Sequence, residues 1–137
     1  ILDNGHGVNT PGKCSPDKSL LEYKWAREMV DLIIKELSKL GINAVKLVPE
    51  DTDISLKERV KRANKIYKDT NKQAILISVH CNAAGADSKW HNASGWSVFV
   101  SKNASNNSKR LAQSLYSEAK KNKLQGNRSV PKEEYWV

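Results

Sequence analysis

Cysteine is scarce in this sequence, with two among 137 residues. Cys14 and Cys81 cannot build the disulfide framework that staples small secreted domains. Their spacing matches no CxxC pair, so the thiols do not predict a metal site either. We therefore interpret both as ordinary thiols.

Long hydrophobic runs are also missing. No apolar run approaches the roughly 20 residues that a membrane-spanning helix needs. The chain has no signal peptide and begins with Ile1, so we expect a clipped first strand and a leader that was removed or left out. The content of 39% hydrophobic and 28% charged residues is ordinary for a soluble globular protein. The sequence therefore predicts a single domain over 1–137 with a core of its own.

Acidic residues are in the minority. There are 23 Lys and Arg against 15 Asp and Glu, which gives a net charge of +8. This balance favours an anionic partner, such as nucleic acid, a lipid surface or an acidic cell-wall polymer, although a merely solvated cationic surface is an alternative. The lysines are spread along helices, and no RRM, helix-turn-helix, zinc finger or Arg-rich arm is present. Nucleic acid is therefore disfavoured.

Strand and helix patterns alternate along the chain. Apolar spacings of three and four predict a helix from Leu21 to Leu40 that Gly41 ends, and Ser55 with Glu58 forms a capping box that opens a second helix. The remaining predicted elements are strands at 1–3, 42–48, 74–79 and 95–101 and a third helix within 105–123. This order predicts an α/β fold, a three-layer sandwich with a largely parallel mixed sheet flanked by helices.

Two of the three histidines follow predicted strands. His6 lies between two glycines just after the first strand, and His80 ends the buried strand AILISV. Because ligands collect at the carboxyl ends of parallel strands, we expect the two imidazoles to converge. Two imidazoles and one carboxylate make a common catalytic zinc shell. Glu22, which opens the first helix soon after the His6 loop, is the candidate carboxylate.

Each of these residues also has a simpler interpretation. His6 could be a turn histidine, and His80 could end its strand with one hydrogen bond. Glu22 stands three residues after Ser19, which is capping-box spacing, so it could simply satisfy a helix N-terminus. No HExxH motif is present. From spacing alone, the capping role is favoured for Glu22.

Five stretches, in order along the chain, resemble one family. They are DNGHG (3–7), LLEYKWAR (20–27), EDTD-x-SLKERVKRAN (50–64), ISVHCNA (77–83) and GWSVFVS (95–101). Together they are similar to the zinc-dependent N-acetylmuramoyl-L-alanine amidases of the Amidase_3 type, which include bacterial autolysins, cell-separation amidases and phage endolysins.

This resemblance implies that His6, Glu22 and His80 bind one zinc ion, which reverses the preference for Glu22 as a cap. It implies hydrolysis of the amide between N-acetylmuramic acid and the L-alanine of the peptidoglycan stem peptide. It also implies that Asn82 either lines the site, where it would contact substrate, or supports the site residues from behind. The expected location is the cell wall, either extracellular or periplasmic, or the wall reached by a released phage enzyme. Peptidoglycan is the expected partner of a monomer, and its anionic polymers would suit the +8 charge.

The chain departs from the family pattern in two places. Pro49 and Glu50 stand where the family usually has an arginine before its DTD. The family also carries a catalytic glutamate on its last strand, and Glu133 and Glu134 lie in a pre-strand segment that does not match that motif. We therefore expect this glutamate beyond Val137, with the last strand and helix missing. A chain without it should bind zinc but hydrolyse about 10²- to 10⁴-fold more slowly.

Two other functions stay open at this point. The first is a catalytically inactive, zinc-containing module that binds the cell wall or regulates another protein. The second is a basic nucleic-acid-binding domain without a metal. Zinc content separates the second from the amidase, and hydrolysis of purified wall separates the first.

Overall fold

The structure is a computed structural model that describes residues 1–83, 85, 87–92, 94–124 and 132–133. The chain divides into two compact units, Ile1–Trp90 and His91–Val137. The first unit contains strands β1 and β2 and helices α1 and α2, and the second contains strands β3 and β4 and helix α3. The bounds are β1 Leu2–Asn4, α1 Glu22–Lys39, α2 Leu56–Asp69, β2 Ile77–Val79, β3 Phe99–Val100, α3 Asn106–Lys121 and β4 Lys132–Glu133.

The sheet of the first unit joins two segments that are far apart in sequence. β1 and β2 pair in parallel, with Leu2 opposite Ile77 and Asn4 opposite Val79. Helix α1 packs against both strands. A small core forms beside them from Leu47, Val48 and Ala63, against which partly buried isoleucines pack, namely Ile1, Ile54 and Ile66. The parallel pairing sets the carboxyl ends of β1 and β2 side by side, as the α/β prediction requires.

The predicted strand at 42–48 is wrong in extent. This segment makes a single parallel bridge, Lys46 with Leu2, in which the Leu2 N–H donates to the Val45 carbonyl at 2.8 Å. The pairing does not extend because the side-chain amide of Asn4 donates to the Val48 carbonyl at 2.9 Å, and Pro49 has no N–H to continue a ladder. The predicted strands at 74–79 and 95–101 likewise shorten to β2 and β3.

The three predicted helices are confirmed, and so are the predicted signals at Gly41 and Ser55. Gly41 follows α1 with φ 71°. The hydroxyl of Ser55 accepts from the Glu58 N–H at the start of α2, and Ser105 does the same for Ser108 at the start of α3. The buried face of α1 differs from the apolar stripe, however. Leu32 and Leu40 are exposed, whereas the buried positions of the helix are Glu22, Ala26, Arg27 and Val30.

The second unit builds a parallel strand pair of its own. β3 pairs with β4, with Phe99 opposite Lys132 and Val100 opposite Glu133, and α3 packs against β3. The helix buries Ala112, Tyr116 and Ala119. Glu133 therefore lies within a strand rather than ahead of one, because the backbone of β3 offers it a parallel partner. Glu134 lies outside the described residues.

The α/β class is confirmed, with parallel strand pairs and three helices. No helix in the described part of the chain is long and apolar enough to cross a membrane.

Candidate metal centre

The first histidine lies on a sharp bend at the carboxyl end of β1. His6 has φ 59°, in the left-handed region that side-chain-bearing residues rarely adopt. Such a conformation costs about 1–2 kcal/mol, so the surrounding contacts must hold it in place. The Gly5 N–H donates to the Val79 carbonyl at 3.2 Å, and the Gly7 N–H donates to the Thr10 hydroxyl at 2.9 Å. The bend is therefore fixed by a hydrogen bond on each side of His6.

The two flanking glycines are needed for space. A Cβ on Gly5 would lie 2.3 Å from Cε1 of the His80 ring, and a Cβ on Gly7 would lie 1.9 Å from the Asp53 backbone nitrogen. Gly5 thus lets the second imidazole approach the first strand, and Gly7 lets the 50–53 loop close over the bend. Both glycines beside His6 are therefore required by packing.

Glu22 does not cap its helix through Ser19. Helix α1 begins at Glu22 itself, after Leu21 in the N-cap position, which makes no side-chain cap. The Ser19 hydroxyl donates instead to Asp17 at 2.8 Å. The Glu22 N–H donates to the Lys13 carbonyl at 3.0 Å, beside an antiparallel bridge between Cys14 and Leu21. The loop after β1 therefore folds back on the start of α1 and leaves the Glu22 carboxylate free to turn inward.

The three predicted ligands meet at one point in the first unit. The His6 Nε2 lies 3.4 Å from Glu22 Oε2, and the His80 Nδ1 lies 3.0 Å from Glu22 Oε1. The two imidazole rings are nearly perpendicular, with centroids 5.0 Å apart. One ligand atom from each of the three residues lies within 4.8 Å of the others. The carboxylate is buried, and the two imidazoles are more open to solvent.

This donor set fits a zinc ion. Two donors bound to one tetrahedral zinc at about 2.0–2.1 Å lie roughly 3.3 Å apart. The separations of 3.4 Å from His6 Nε2 to Glu22 Oε2 and 3.0 Å from His80 Nδ1 to Glu22 Oε1 lie near that value, each through a different carboxylate oxygen. Two imidazole nitrogens and one carboxylate leave a fourth position open, which is the arrangement of catalytic rather than structural zinc sites. The role of these residues as metal ligands stays a prediction.

The electrostatics keep the carboxylate ionised and the first imidazole neutral. Burial raises the pKa of Glu22, but the hydrogen bond with His80, the electrostatic interaction with His6 and the Cys81 N–H together bring it below its usual value. Burial lowers the pKa of His6, and the opposing effect of Glu22 does not cancel this shift. An ionised carboxylate and a neutral imidazole are the forms that bind metals.

Two buried arginines beside the bend were not predicted as functional. Arg59 pairs with Asp53 at 2.8 Å and with Asp3, and Arg27 donates to the carbonyls of His6 and Glu50. The Ser78 hydroxyl also donates to Asp3 at 2.7 Å. A buried ion pair depends on residues distant in the chain, so helical periodicity gave no signal for it. The only available hint was that both arginines lie in stretches that carry the family resemblance.

The other candidates near the site have smaller roles in the geometry. Asn82 is exposed two residues after His80, and its predicted contact with substrate stays a prediction. The Cys81 N–H donates to Glu22 Oε1 at 3.0 Å. Burial, together with the charge of Glu22, raises the pKa of the Cys81 thiol to about 11, which disfavours the thiolate that a metal needs. Cys14 is exposed.

A comparison with protein families decides the identity of the domain. The family described as N-acetylmuramoyl-L-alanine amidase matches residues 1–137, the whole chain. The chain belongs to this amidase family. The sequence resemblance is therefore confirmed at the level of the family and of peptidoglycan amidase activity.

A solved structure shares the amidase fold. The chain is similar to the CwlD amidase from Clostridioides difficile, which was solved in complex with the GerS lipoprotein. The TM-score is 0.70 at 24% sequence identity, over 98% of this chain and 72% of that one. A search of curated protein sequences gives no match.

Proposed function

We propose that this amidase domain is a zinc-dependent hydrolase that cleaves the amide between N-acetylmuramic acid and the L-alanine of the peptidoglycan stem peptide. The observation that carries the proposal is the convergence of His6, Glu22 and His80 at distances suited to one metal ion. Membership of the amidase family supports the substrate and the bond.

Glu22, a bound zinc ion and the Cys81 N–H would have different roles in the site. Glu22 supplies the negative charge, and its two oxygens face different imidazoles, so one carboxylate orients both rings. A bound zinc ion supplies Lewis acidity, which polarises an amide carbonyl and makes a water molecule more acidic. The N–H of Cys81 donates to Glu22 and holds the carboxylate in this orientation.

Space for substrate adjoins the two imidazoles. A pocket of about 390 Å³ is lined by His6 and His80 together with Ile54 and Leu56, near the start of α2. Leu56 is 73% exposed. An apolar wall beside the reacting centre suits the small alkyl groups that flank the scissile amide, which are a lactyl methyl and an alanine methyl.

The proton-transfer group of the reaction is not assigned to a described residue. Asp3 and Asp53 line the same pocket, but both are paired with Arg59, so they serve the scaffold. The interpretation that a family glutamate beyond Val137 acts as acid and base stays a prediction. The same holds for the role of the enzyme as autolysin or endolysin, its location in the wall and its monomeric state.

Zinc content and wall hydrolysis together test the proposal. We expect the chain to bind one zinc ion and His80→Ala to lose it. Purified peptidoglycan should release free N-terminal L-alanine with the zinc-loaded parent and not with His80→Ala. His91→Ala, which removes the one remaining histidine, is the matched control and should keep both zinc and activity. Zinc binding without any release of alanine, by a protein extended past Val137 to the expected glutamate, would favour the inactive wall-binding module, and a parent without zinc would overturn the metal assignment.

A further inference from the structure

The backbone carbonyl of His6 faces two buried guanidinium groups. Arg27 Nη1 donates to this oxygen at 3.1 Å, and Arg59 Nη2 lies 3.4 Å from it. Arg59 Nη1 also donates to the Asn4 carbonyl at 2.8 Å. The arginines are 8% and 7% exposed. The carbonyls on both sides of Gly5 are therefore held by positive charges that are withdrawn from water.

Each arginine ties the bend to a different part of the scaffold. Arg27 donates to the Glu50 carbonyl at 2.6 Å and to the Tyr23 carbonyl at 3.0 Å, so it joins α1 to the 50–53 loop. Arg59 reaches the Asp53 carboxylate and the Ile54 carbonyl from α2. Neither contact set resembles the exposed ion pairs elsewhere on the helices, because most acceptors are backbone carbonyls of loops.

Arg27 also links two of the proposed ligands. It lies five residues after Glu22 on the buried face of α1, and it donates to the carbonyl of His6. The Gly5 N–H in turn bonds to Val79, the residue before His80. The elements that carry the three side chains are thus joined through the backbone of residues 4–6.

We infer that Arg27 and Arg59 are positioning residues of the metal centre, which hold His6 in its left-handed conformation and so aim its imidazole at Glu22 and His80. This inference rests on the proposed function for its metal, but its structural part concerns the protein alone. A non-glycine residue stays at φ 59° only when its surroundings over-determine it, and two charged donors on its own carbonyl supply such a restraint.

A lysine cannot replace either arginine in this role. The guanidinium is a planar fork whose nitrogens reach several acceptors at once, and Arg27 uses Nε, Nη1 and Nη2 on carbonyls of three different segments. A lysine ammonium is a compact charge on a flexible stem. Arg→Lys therefore keeps the charge and removes the geometry.

The test compares Arg27→Lys and Arg59→Lys with a matched control, Arg62→Lys. Arg62 also joins α2 to the 50–53 loop, through the Glu50 carboxylate at 2.7 and 2.9 Å, but its contacts are with Glu50, Glu58 and Leu47 rather than with His6. Folding is checked by circular dichroism and thermal unfolding. Zinc affinity is measured by chelator competition, the cobalt(II) absorption spectrum reports ligand geometry, and the three-bond HN–Hα coupling of His6 in metal-free protein reports φ.

We expect Arg27→Lys and Arg59→Lys to weaken zinc binding by about 10- to 100-fold, to alter the cobalt spectrum and to shift the His6 coupling, while Arg62→Lys changes none of the three. A purely structural role would lower the melting temperatures of all three variants and leave these readouts alone. If one arginine variant does not fold, the folded variant alone tests the inference, because each substitution removes a donor to the His6 carbonyl.

The inference is overturned if the folded variants keep the parent His6 coupling and a zinc affinity within about twofold. A parent that binds no zinc would instead overturn the proposed function. The coupling measurement, made without metal, would still decide whether the arginines hold the bend.

Discussion

The two glycines beside His6 contribute to the site because they have no side chain. Gly5 lies under the His80 imidazole, and Gly7 lies against the backbone of residues 52–53. The two positions differ in what a methyl group would displace. At Gly5 it would meet the end of a side chain that can turn, and at Gly7 it would meet backbone that cannot move without the loop.

The glycines therefore predict two different defects. Gly5→Ala should leave the fold near parent stability and weaken zinc binding about tenfold or more, because His80 must turn away from Glu22. Gly7→Ala should lower the free energy of unfolding by about 1–3 kcal/mol, because the added methyl overpacks the loop. Zinc titration and chemical denaturation of both variants separate the effects. Equal loss of stability in both, with unchanged zinc affinity in Gly5→Ala, would contradict this assignment.

Among the elements, helix ends are governed by local contacts. The Ser55 hydroxyl accepts the Glu58 N–H at 3.2 Å, whereas the similarly spaced Ser19 and Glu22 form no such cap, because α1 begins at Glu22. The chain thus contains one serine that caps its helix and one similarly spaced serine that does not, and the loop after β1 makes the difference.

This contrast gives a prediction about helix stability. Ser55→Ala should lower the free energy of unfolding by about 1 kcal/mol, because the first turn of α2 loses its acceptor. Ser19→Ala, at an exposed position that contacts Asp17, should stay within about 0.5 kcal/mol of the parent. Urea denaturation of the two variants measures the difference, and a larger loss for Ser19→Ala would show that it does cap α1.

Elements that depend on local contacts could be predicted from the sequence, whereas elements that depend on distant contacts could not. The helices and the cap at Ser55 depend on neighbours within four residues, so periodicity and spacing were enough. The segment 42–48 looked like a strand, but its pairing depends on Asn4 and Pro49, and only a bridge forms.

Some residues of the site could be predicted from the sequence, and others could not because they depend on distant contacts. His6 and His80 were predicted to converge from the parallel-strand rule, which is a statement about topology. The inward turn of Glu22 needed the family resemblance, because its partners lie 16 and 58 residues away. Arg27 and Arg59 were missed because acceptors such as the His6 and Asn4 carbonyls lie far away in the sequence and leave no trace in a hydrophobic pattern.

At the scale of the whole molecule, charged side chains contribute to stability in acid and, we expect, to attraction toward an anionic cell wall. Glu50 and Arg62 form a bidentate pair at 2.7 and 2.9 Å between the 50–53 loop and α2. The hydrogen bond from Arg62 lowers the pKa of Glu50 from 4.5 to about 2. Since the folded pKa is the lower one, the pair stabilises the fold above about pH 4.5, and this contribution is lost as the pH falls toward about 2.

Thermal unfolding between neutral pH and about pH 3 tests this linkage. The parent should lose melting temperature across this range, and Glu50→Gln should lose less, since it has no proton to gain. The difference should be small because the pair is partly exposed to solvent. Identical pH slopes for parent and variant would rule out the pair as a source of acid sensitivity.

The net charge of +8 predicts salt-dependent wall binding. Sedimentation with purified wall should show retention that falls as salt rises, because the screening length shrinks from about 10 Å at 0.1 M to about 3 Å at 1 M. Wall stripped of its anionic polymers is the control and should retain less protein at low salt. Retention that changes with neither salt nor polymer content would show that the net charge does not drive wall binding.

The most direct test of the central claim is an anomalous scattering map of zinc-soaked crystals at the zinc absorption edge. We expect one strong peak bounded by the His6 Nε2, the His80 Nδ1 and the Glu22 carboxylate, at about 2.0–2.2 Å from each ligand. A map without density at this point, or with its peak at the thiol of Cys14 or Cys81, would contradict the metal centre.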